Sequence, residues 1–339
     1  MGAFCTKSMP REAWYSFPMA CFASPCQPGL DQHCLSHSSV IMPVMHVRVP
    51  GSTSNLGHGF DCLGMALSIY NDLWITPSDT PVQHGDAGLN RLCGSVRELC
   101  QQVMGCPLPA AAVTITGDVP MARGLGSSAT IIIGLAAFYQ QLHQGNIDRD
   151  ALVQLGYGIE GHPDNVAAAA LGGCTIAAST PTGLRCLRLD IPETLRAVLT
   201  IPAYQVRTAD ARSALPQELS REEAVRGWQR TALITAALAS GNCDALRDCF
   251  SQSWHEEYRQ ELNPHLQQVR NIAHNNGAIG TFLSGSGSTI LSLCDQDCAE
   301  TLRQAIASNM DESLSLHICH GDNLGVQILN PDPAQGDSA

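Results

Sequence analysis

The sequence predicts a fold of mixed helices and strands, α+β or α/β, from two kinds of local pattern. Short extended runs rich in β-branched residues, such as Leu73–Thr76 and Ala112–Thr116, indicate strands. The apolar run Ala129–Leu142 is too long for a strand and predicts a helix. The chain has 339 residues, of which 44% are hydrophobic and 5% aromatic, so it can form one large or two smaller domains with an Ala, Leu, Ile and Val core.

Strand-like and helical segments alternate along the chain. The first strand is predicted at His46–Pro50. Ala167–Leu171 predicts a helix that ends at a glycine pair, and Cys174–Ala178 predicts the strand that follows. Two later helices are predicted at Arg226–Ser240 and Pro264–Asn275. We place a domain boundary near residue 190, which separates a domain of residues 46–190 from one of residues 191–331.

The two ends of the chain are predicted to lie outside this fold. Residues 1–45 hold four cysteines, several prolines and no amphipathic period, so we expect an extension that is disordered or not translated. Met42 and Met45 lie just before the first predicted strand, and either is a candidate for the true start of the protein. The Cys and His spacings in the extension fit no common zinc pattern. Residues 332–339 are expected to form a frayed tail.

Charge and cysteine content limit the partners and the compartment. The formal net charge of -12, without clustered positive charge, excludes a general nucleic-acid binder. No apolar stretch reaches the ~20 residues of a membrane span, so we expect a soluble protein without a membrane partner. The only lysine is Lys7, so a catalytic lysine is excluded and anions must be bound by arginine. The fifteen cysteines lack a CxxC pair, which predicts mostly buried free thiols in the cytoplasm.

The strongest local pattern is the glycine-rich turn Pro120–Thr130, which follows a strand and opens into the long apolar helix. Gly124 and Gly126 let the backbone approach an anion, and Ser127 or Ser128 can cap a helix whose dipole favours negative charge. The turn lacks the lysine of a Walker A loop and the GxGxxG spacing of a dinucleotide site. It predicts a phosphate cradle, although an ordinary serine-capped turn would give the same local pattern.

Three further segments place polar groups at turns. Asn55 and Asp61 follow a strand and are suited either to bind an amine or hydroxyl or to satisfy the turn itself. Glu160 is the candidate ligand for Mg²⁺, which prefers oxygen ligands, or else it is a surface carboxylate. His162 is interpreted as structural. Ser284–Thr289 is a second glycine-rich turn, and two such turns make sense if both approach one polyanion.

In this order the segments resemble the motifs of the GHMP kinase superfamily over about residues 46–330. Ala122–Thr130 resembles its phosphate loop and Ser284–Thr289 its third motif, with Ser288 where many members have proline. The resemblance implies an α+β fold of two domains, the first ribosomal S5 domain 2-like and the second ferredoxin-like, with the active site between them. It also implies ATP binding by Pro120, Met121, Ala122, Arg123, Gly124, Leu125, Gly126, Ser127, Ser128, Ala129, Gly285 and Gly287.

Within the superfamily the pattern is similar to that of the homoserine kinases. The likeness is carried by Ser54–Leu67, Glu160–Ala167, Val206–Pro216 and Trp254–Arg259. The Gly-Glu-His of galactokinases and mevalonate kinases does not follow the first strand, and neither does the lysine of the mevalonate kinases. The resemblance therefore implies phosphorylation of the L-homoserine hydroxyl by ATP, by direct in-line transfer, as a step of threonine biosynthesis.

The resemblance also implies roles for residues of the substrate side. Asn55 and Asp61 would bind homoserine, with Asp61 facing the amino group. Arg212 and Arg259 would hold the α-carboxylate, a task that suits the guanidinium fork. Thr208 lies one helical turn before Arg212, so both would face one pocket if that segment is helical.

The catalytic roles implied by the resemblance fall to three residues, Asn165, Glu160 and Asp61. Asn165 would lie near the reacting hydroxyl, and Glu160 would carry Mg²⁺ together with Ser128. Asp61 is first a substrate-binding residue and second a candidate for proton removal. Two alternatives stay open, a GHMP kinase for another alcohol of mevalonate or shikimate type and a non-catalytic sensor. Because the superfamily is often dimeric, a homodimer is also open.

Overall fold

The computed structural model describes residues 44–310 and 313–329. Most of the predicted extension and the whole predicted tail lie outside these residues, and Met45 is already the first residue of a strand. The elements in chain order are β1 (Met45–Asn55), β2 (Gly59–Ser78), α1 (Ala87–Met104), β3 (Ala110–Gly117), α2 (Ser127–Gln144), α3 (Arg149–Glu160), α4 (Asp164–Leu171), β4 (Cys174–Thr180), β5 (Gly183–Leu189), β6 (Leu195–Ile201), α5 (Thr208–Ser213), α6 (Arg221–Ser240), α7 (Trp254–Tyr258), α8 (Leu266–Asn275), β7 (Gly280–Leu283), β8 (Ile290–Asp295), α9 (Ala299–Asn309), β9 (Ser315–His320) and β10 (Gln327–Leu329).

The first sheet has the strand order β10-β1-β2-β4-β5, with β3 also paired to β2, and all its pairings are antiparallel. Its strands supply the extended segments predicted between residues 46 and 116, and α2 contains the predicted helix Ala129–Leu142. Helix α2 lies close against the sheet, because a Cβ on Gly134 would stand 2.7 Å from a methyl carbon of Leu73. Their shared core also includes Val49, Ile132 and Phe138.

The second sheet has the order β7-β8-β6-β9, again antiparallel throughout. Counted within this sheet, the order is 4-1-3-2, with helices after the first and third strands, which is the ferredoxin-like arrangement. Because both sheets are antiparallel, the class is α+β, as predicted. Both predicted helices of this half are present. Helix α6 begins at Arg221, five residues before its predicted start, because Ser220 and Glu223 form a capping box.

The predicted boundary near residue 190 falls between β5 and β6, and it stays a prediction. After β9 the chain returns from the second sheet to the first, where β10 pairs with β1 at His46, Val47 and Arg48. A second core, which includes Leu63 of β2 and Leu199 of β6, joins the two sheets. No helix in the described part of the chain is long and apolar enough to cross a membrane.

Candidate active site

The two glycine-rich turns pack directly against each other. The Ser284 hydroxyl donates to the Gly124 carbonyl at 2.6 Å, and the Thr289 amide donates to the Arg123 carbonyl at 3.1 Å. A Cβ on Gly124 would stand 2.1 Å from the Ser284 carbonyl oxygen, and the residue has a φ of +74°. Only glycine therefore permits this contact, and the second turn supports the first.

The amino end of α2 differs in one detail from the expected geometry. Gly126 is the N-cap residue, with a left-handed φ of 69°, and no side chain caps the helix. The prediction that Ser127 or Ser128 caps α2 is therefore wrong, because Gly126 occupies that position and both serines lie in the first turn. The first amides of α2 therefore have no side-chain acceptor, which suits an anion.

A cavity of about 430 Å³ opens at this helix end, between the two sheets. Most residues predicted for the site line it: Asn55, Asp61, Met121, Ala122, Arg123, Gly124, Leu125, Gly126, Ser127, Ser128, Ala129, Glu160, Asn165, Thr208, Arg212, Arg259 and Gly285. Pro120 and Gly287 do not line it, and a Cβ on Gly287 would collide with the Asn263 side chain. Thr208 and Arg212 both belong to α5, so the helical segment expected there is present.

Charged groups gather around Phe60 at one end of the cavity. Arg212 donates both terminal nitrogens to the Asp61 carboxylate, at 3.0 and 2.7 Å. Arg259 is 2% exposed and donates to the carbonyls of Ala211 and Gly285. Both guanidinium carbons lie over the Phe60 ring, at 5.5 and 5.4 Å from its centroid. The two arginines thus converge on one small volume.

The electrostatics of this pair favour an incoming anion. Burial, and then the charge of Arg212, lower the pKa of Arg259 to about 10. For Arg212, burial acts to lower the pKa, but the hydrogen bond and charge of Asp61 outweigh it and the pKa is raised. A carboxylate placed between the two guanidinium groups would relieve their repulsion.

The two asparagines selected from the sequence use their amides within the protein. The Asn55 amide donates to the Gly285 carbonyl at 3.0 Å, and its oxygen accepts from the Asp61 amide at 3.1 Å. The Asn165 oxygen accepts from Ser52 Oγ, and its amide donates to Ser54 Oγ. Both residues therefore fix the wall of the cavity, and their contacts with substrate stay predictions.

Glu160, His162 and Asp164 form a row of ionisable side chains that also lines the cavity. His162 Nε2 lies 3.3 Å from Glu160 Oε2, and its Nδ1 lies 3.1 Å from Asp164 Oδ1. Burial lowers the pKa of His162, but the hydrogen bond to Asp164 and both carboxylate charges raise it overall. His162 was interpreted as structural, yet it lines the cavity. Its place between two acidic residues was visible in the sequence Glu160–Asp164.

The residues on this wall fit a magnesium ion. Glu160 Oε1 is buried without a hydrogen-bond partner, a cost that a cation would offset. Ser128 lies exposed in the first turn of α2 and lines the same cavity. No three His, Cys, Asp or Glu side chains of the described residues converge as a metal site. An ion here would therefore depend on one carboxylate, a hydroxyl, phosphate oxygens and water, which is usual for Mg²⁺.

Comparisons with protein families and with curated proteins identify the family to which the chain belongs. Residues 90–173 match the GHMP kinases N terminal domain, and residues 234–312 match the GHMP kinases C terminal family. The chain belongs to the GHMP kinase family. Its curated relatives include the homoserine kinase of Aquifex aeolicus, 32% identical over 85% of this chain and 100% of the relative. Another is the homoserine kinase of Gloeobacter violaceus, 37% identical over 78% of this chain and 92% of the relative.

Solved structures share the fold. The crystal structure of homoserine kinase from Cytophaga hutchinsonii superposes with a TM-score of 0.76 at 24% identity, covering 87% of this chain and all of that one. The mevalonate kinase of Methanococcus jannaschii gives a TM-score of 0.62 at 16% identity, covering 82% of this chain and 98% of that one. The predicted two-domain GHMP kinase architecture is confirmed.

Proposed function

We propose that this chain transfers the γ-phosphate of ATP to the side-chain hydroxyl of L-homoserine. The observation that carries the substrate assignment is the group formed by Asp61, Arg212 and Arg259 around Phe60. An amino acid presents one ammonium and one carboxylate, which need partners of opposite charge. This cavity end supplies both kinds, whereas mevalonate and shikimate have no ammonium for Asp61.

The transfer requires positioning and charge neutralisation more than covalent chemistry by the protein. The amides at the start of α2 and the two glycine turns hold the phosphates, and the arginines orient the amino acid. The bond between the hydroxyl oxygen and the γ-phosphorus forms as the bond to the ADP oxygen breaks. Asp61 is the candidate acceptor for the hydroxyl proton. Glu160 and Ser128 would hold Mg²⁺, which when bound neutralises phosphate charge.

We place the protein in the cytoplasm, a compartment that is compatible with the proposed reaction and with the thiols of the chain. Of the eleven cysteines among the described residues, five are free and buried: Cys100, Cys174, Cys249, Cys294 and Cys319. Six others are only partly buried, so the thiols are less uniformly internal than the sequence predicts. A reducing compartment keeps them in this state. A homodimer stays a prediction.

The test is ADP release from the purified protein with Mg·ATP and a panel of L-homoserine, L-serine, L-threonine, mevalonate, shikimate and galactose. We expect strong turnover on L-homoserine alone. Arg212→Gln should raise KM for L-homoserine about 10- to 100-fold, because it removes a charge-assisted hydrogen bond. Arg212 is preferred to the buried Arg259 for this test, since the Arg259 guanidinium also holds two backbone carbonyls.

Two further variants in the same assay test the proposed magnesium site. Glu160→Gln should raise the Mg²⁺ concentration needed for turnover by about 10- to 100-fold, the usual effect of losing a group that supports a metal site. Glu300→Gln on α9 is the matched control, because that carboxylate is exposed and far from the cavity. Turnover on a different alcohol would reject the substrate assignment. Tight ATP binding without turnover on any alcohol would favour a sensor.

A further inference from the structure

Among the described residues, four arginines line the cavity and can supply fixed positive charge to bound phosphates. They are Arg123, Arg207, Arg212 and Arg259. The one lysine of the chain, Lys7, lies outside those residues. The cavity is also lined by the acidic residues Asp61, Asp86, Glu160 and Asp164, which oppose an incoming polyanion. A nucleoside triphosphate would therefore bind more tightly if a cationic side chain could move into contact with its phosphates.

Three of the four guanidinium groups are committed to the protein. Arg123 donates to the carbonyls of Pro202 and Ala203, at 3.0 and 2.5 Å. Arg212 is paired with Asp61 at the amino-acid end of the cavity, and Arg259 is buried on backbone carbonyls. Each would have to break internal hydrogen bonds to move toward a phosphate.

Arg207 differs from these three in exposure and in its partner. Its side chain is 76% exposed and forks onto Asp210, which is 47% exposed, with contacts of 2.8 and 3.1 Å. Exposed ion pairs of this kind contribute little, so exchanging Asp210 for another anion costs little. Arg207 can therefore change partner while the rest of the cavity stays fixed.

The backbone before Arg207 is tied to the phosphate loop. The Val206 amide donates to the Ala122 carbonyl at 3.3 Å, and residue 207 is the N-cap of α5. The side chain thus starts beside the glycine-rich turn, and Thr208 follows it on the cavity wall. An arginine fork matches the geometry of phosphate oxygens.

We infer that Arg207 leaves Asp210 when ATP binds and contacts its triphosphate, as a catalytic residue that neutralises charge during transfer. The kinetic test of this inference rests on the proposed function, whereas the binding test does not. Sequence reasoning missed Arg207 because this residue belongs to no glycine-rich motif and because a substrate-binding role was assigned to its neighbour Thr208. What identifies it is the Val206 to Ala122 hydrogen bond.

The test compares Arg207→Gln with Arg303→Gln, since Arg303 forms the same type of exposed i,i+3 pair with Glu300 on α9. Arg207→Gln should lower kcat with L-homoserine about tenfold or more, the range found when a donor to developing charge is lost. KM for L-homoserine should stay within about twofold, because Arg207 does not contact the amino acid. Arg207→Lys should recover part of the loss.

Calorimetry with a non-hydrolysable β,γ-imido ATP and with adenosine gives a readout besides turnover. Arg207→Gln should weaken binding of the triphosphate analogue and leave adenosine binding unchanged. Equal behaviour of Arg207→Gln and Arg303→Gln in both assays would overturn the inference while leaving the proposed function intact. An equal loss for adenosine would also overturn it. If the wild-type protein fails on L-homoserine but the analogue still binds Arg207→Gln more weakly, the proposed function fails and the contact between Arg207 and the triphosphate stands.

Discussion

His255 shows how a single buried side chain connects the two halves of the site. It is fully buried, with Nε2 2.7 Å from the Gly57 carbonyl and Nδ1 3.3 Å from an Arg259 nitrogen. Because a carbonyl accepts and a guanidinium donates, Nε2 carries the proton and the ring is neutral. Burial, and then the Arg259 charge, lower the pKa of His255 to about 3. Protonation would therefore place a second uncompensated charge beside Arg259.

This arrangement predicts a specific loss of stability in acid. An unfolded histidine titrates near 6.5, so below that pH the unfolded chain binds a proton that the folded chain does not, until about pH 3. The stabilisation present above pH 6.5 is lost as the pH falls, by up to about 1.4 kcal/mol per pH unit. Urea unfolding at pH 7 and pH 5 should show the advantage of wild type over His255→Gln shrinking on the order of 2 kcal/mol.

His317→Gln is the control for this titration, because His317 is exposed on β9. Its unfolding free energy should change with pH as that of the wild type does. If His255→Gln also keeps the wild-type pH dependence, the neutral, buried ring is not the cause of acid sensitivity.

Most residues that line the cavity could be predicted from local sequence motifs, but their hydrogen-bond and ion-pair partners depend on the tertiary fold. Asp61 and Arg212 are 151 positions apart, and Asn55 meets Gly285 across 230 positions, so no local pattern links them. The sequence therefore predicted which side chains face the site without predicting which ones bind each other. His162 was interpreted as structural because an isolated histidine beside a proline more often orders a turn, and that interpretation stays a prediction although the side chain lines the cavity.

At the scale of elements, the site depends on the contact between the phosphate turn and the turn between β7 and β8. Gly124→Ala would place a methyl group 2.1 Å from the Ser284 carbonyl and strain a φ of +74°. Since backbone must move on both sides, we expect weaker binding of the ATP analogue and a loss of unfolding free energy of about 1–3 kcal/mol. Calorimetry and urea unfolding measure the two effects.

Gly94→Ala is the matched control on α1. Its Cβ would meet nothing within 4 Å, and the residue is exposed in the middle of the helix. Alanine there should raise the unfolding free energy by about 0.5–1 kcal/mol, because glycine is the poorer helix former. If Gly124→Ala behaves like Gly94→Ala, the two turns do not need their close contact.

Elements were predicted well where periodicity is strong and less well at their ends. The interiors of α2, α4 and β4 follow from their apolar runs, and a glycine pair marks the end of α4. The start of α6 was missed although Ser220 and Glu223 have the spacing of a capping box. The N-cap of α2 was misassigned because a glycine, rather than a serine, occupies that position with a left-handed φ of 69°.

At the scale of the whole molecule, the two sheets are joined by a shared core and by the crossing segment before β10. Pairing of β10 with β1 brings together residues 281 positions apart in sequence, and periodicity alone gives no indication of it. Asp322 organises the crossing. Its Oδ1 accepts from the amides of Leu324 and Gly325, at 2.9 and 2.6 Å, and its Oδ2 accepts from the Tyr70 hydroxyl at 3.0 Å.

The hydroxyl of Tyr70 is held in the donor state that this contact needs. Burial, and then the Asp322 charge, raise its pKa to about 12. Asp322 is itself only 3% exposed, and its backbone bonds Ala66 and Gly173 of the first half. The side chain and the backbone of this one residue thus fasten the returning chain to β2 and to the residue before β4.

Asp322→Ala should therefore destabilise the whole molecule rather than one loop. It leaves the buried Gly325 amide and the partly buried Leu324 amide and Tyr70 hydroxyl without their acceptor. A buried unsatisfied group costs about 1–3 kcal/mol, so a total loss on the order of 2 kcal/mol is expected. Urea unfolding followed by circular dichroism measures it. Asp190→Ala is the control, because Asp190 is 76% exposed and should change stability by less than about 0.5 kcal/mol. Equal midpoints for the two variants would mean that the shared core alone, without the crossing segment, holds the two sheets around the cavity.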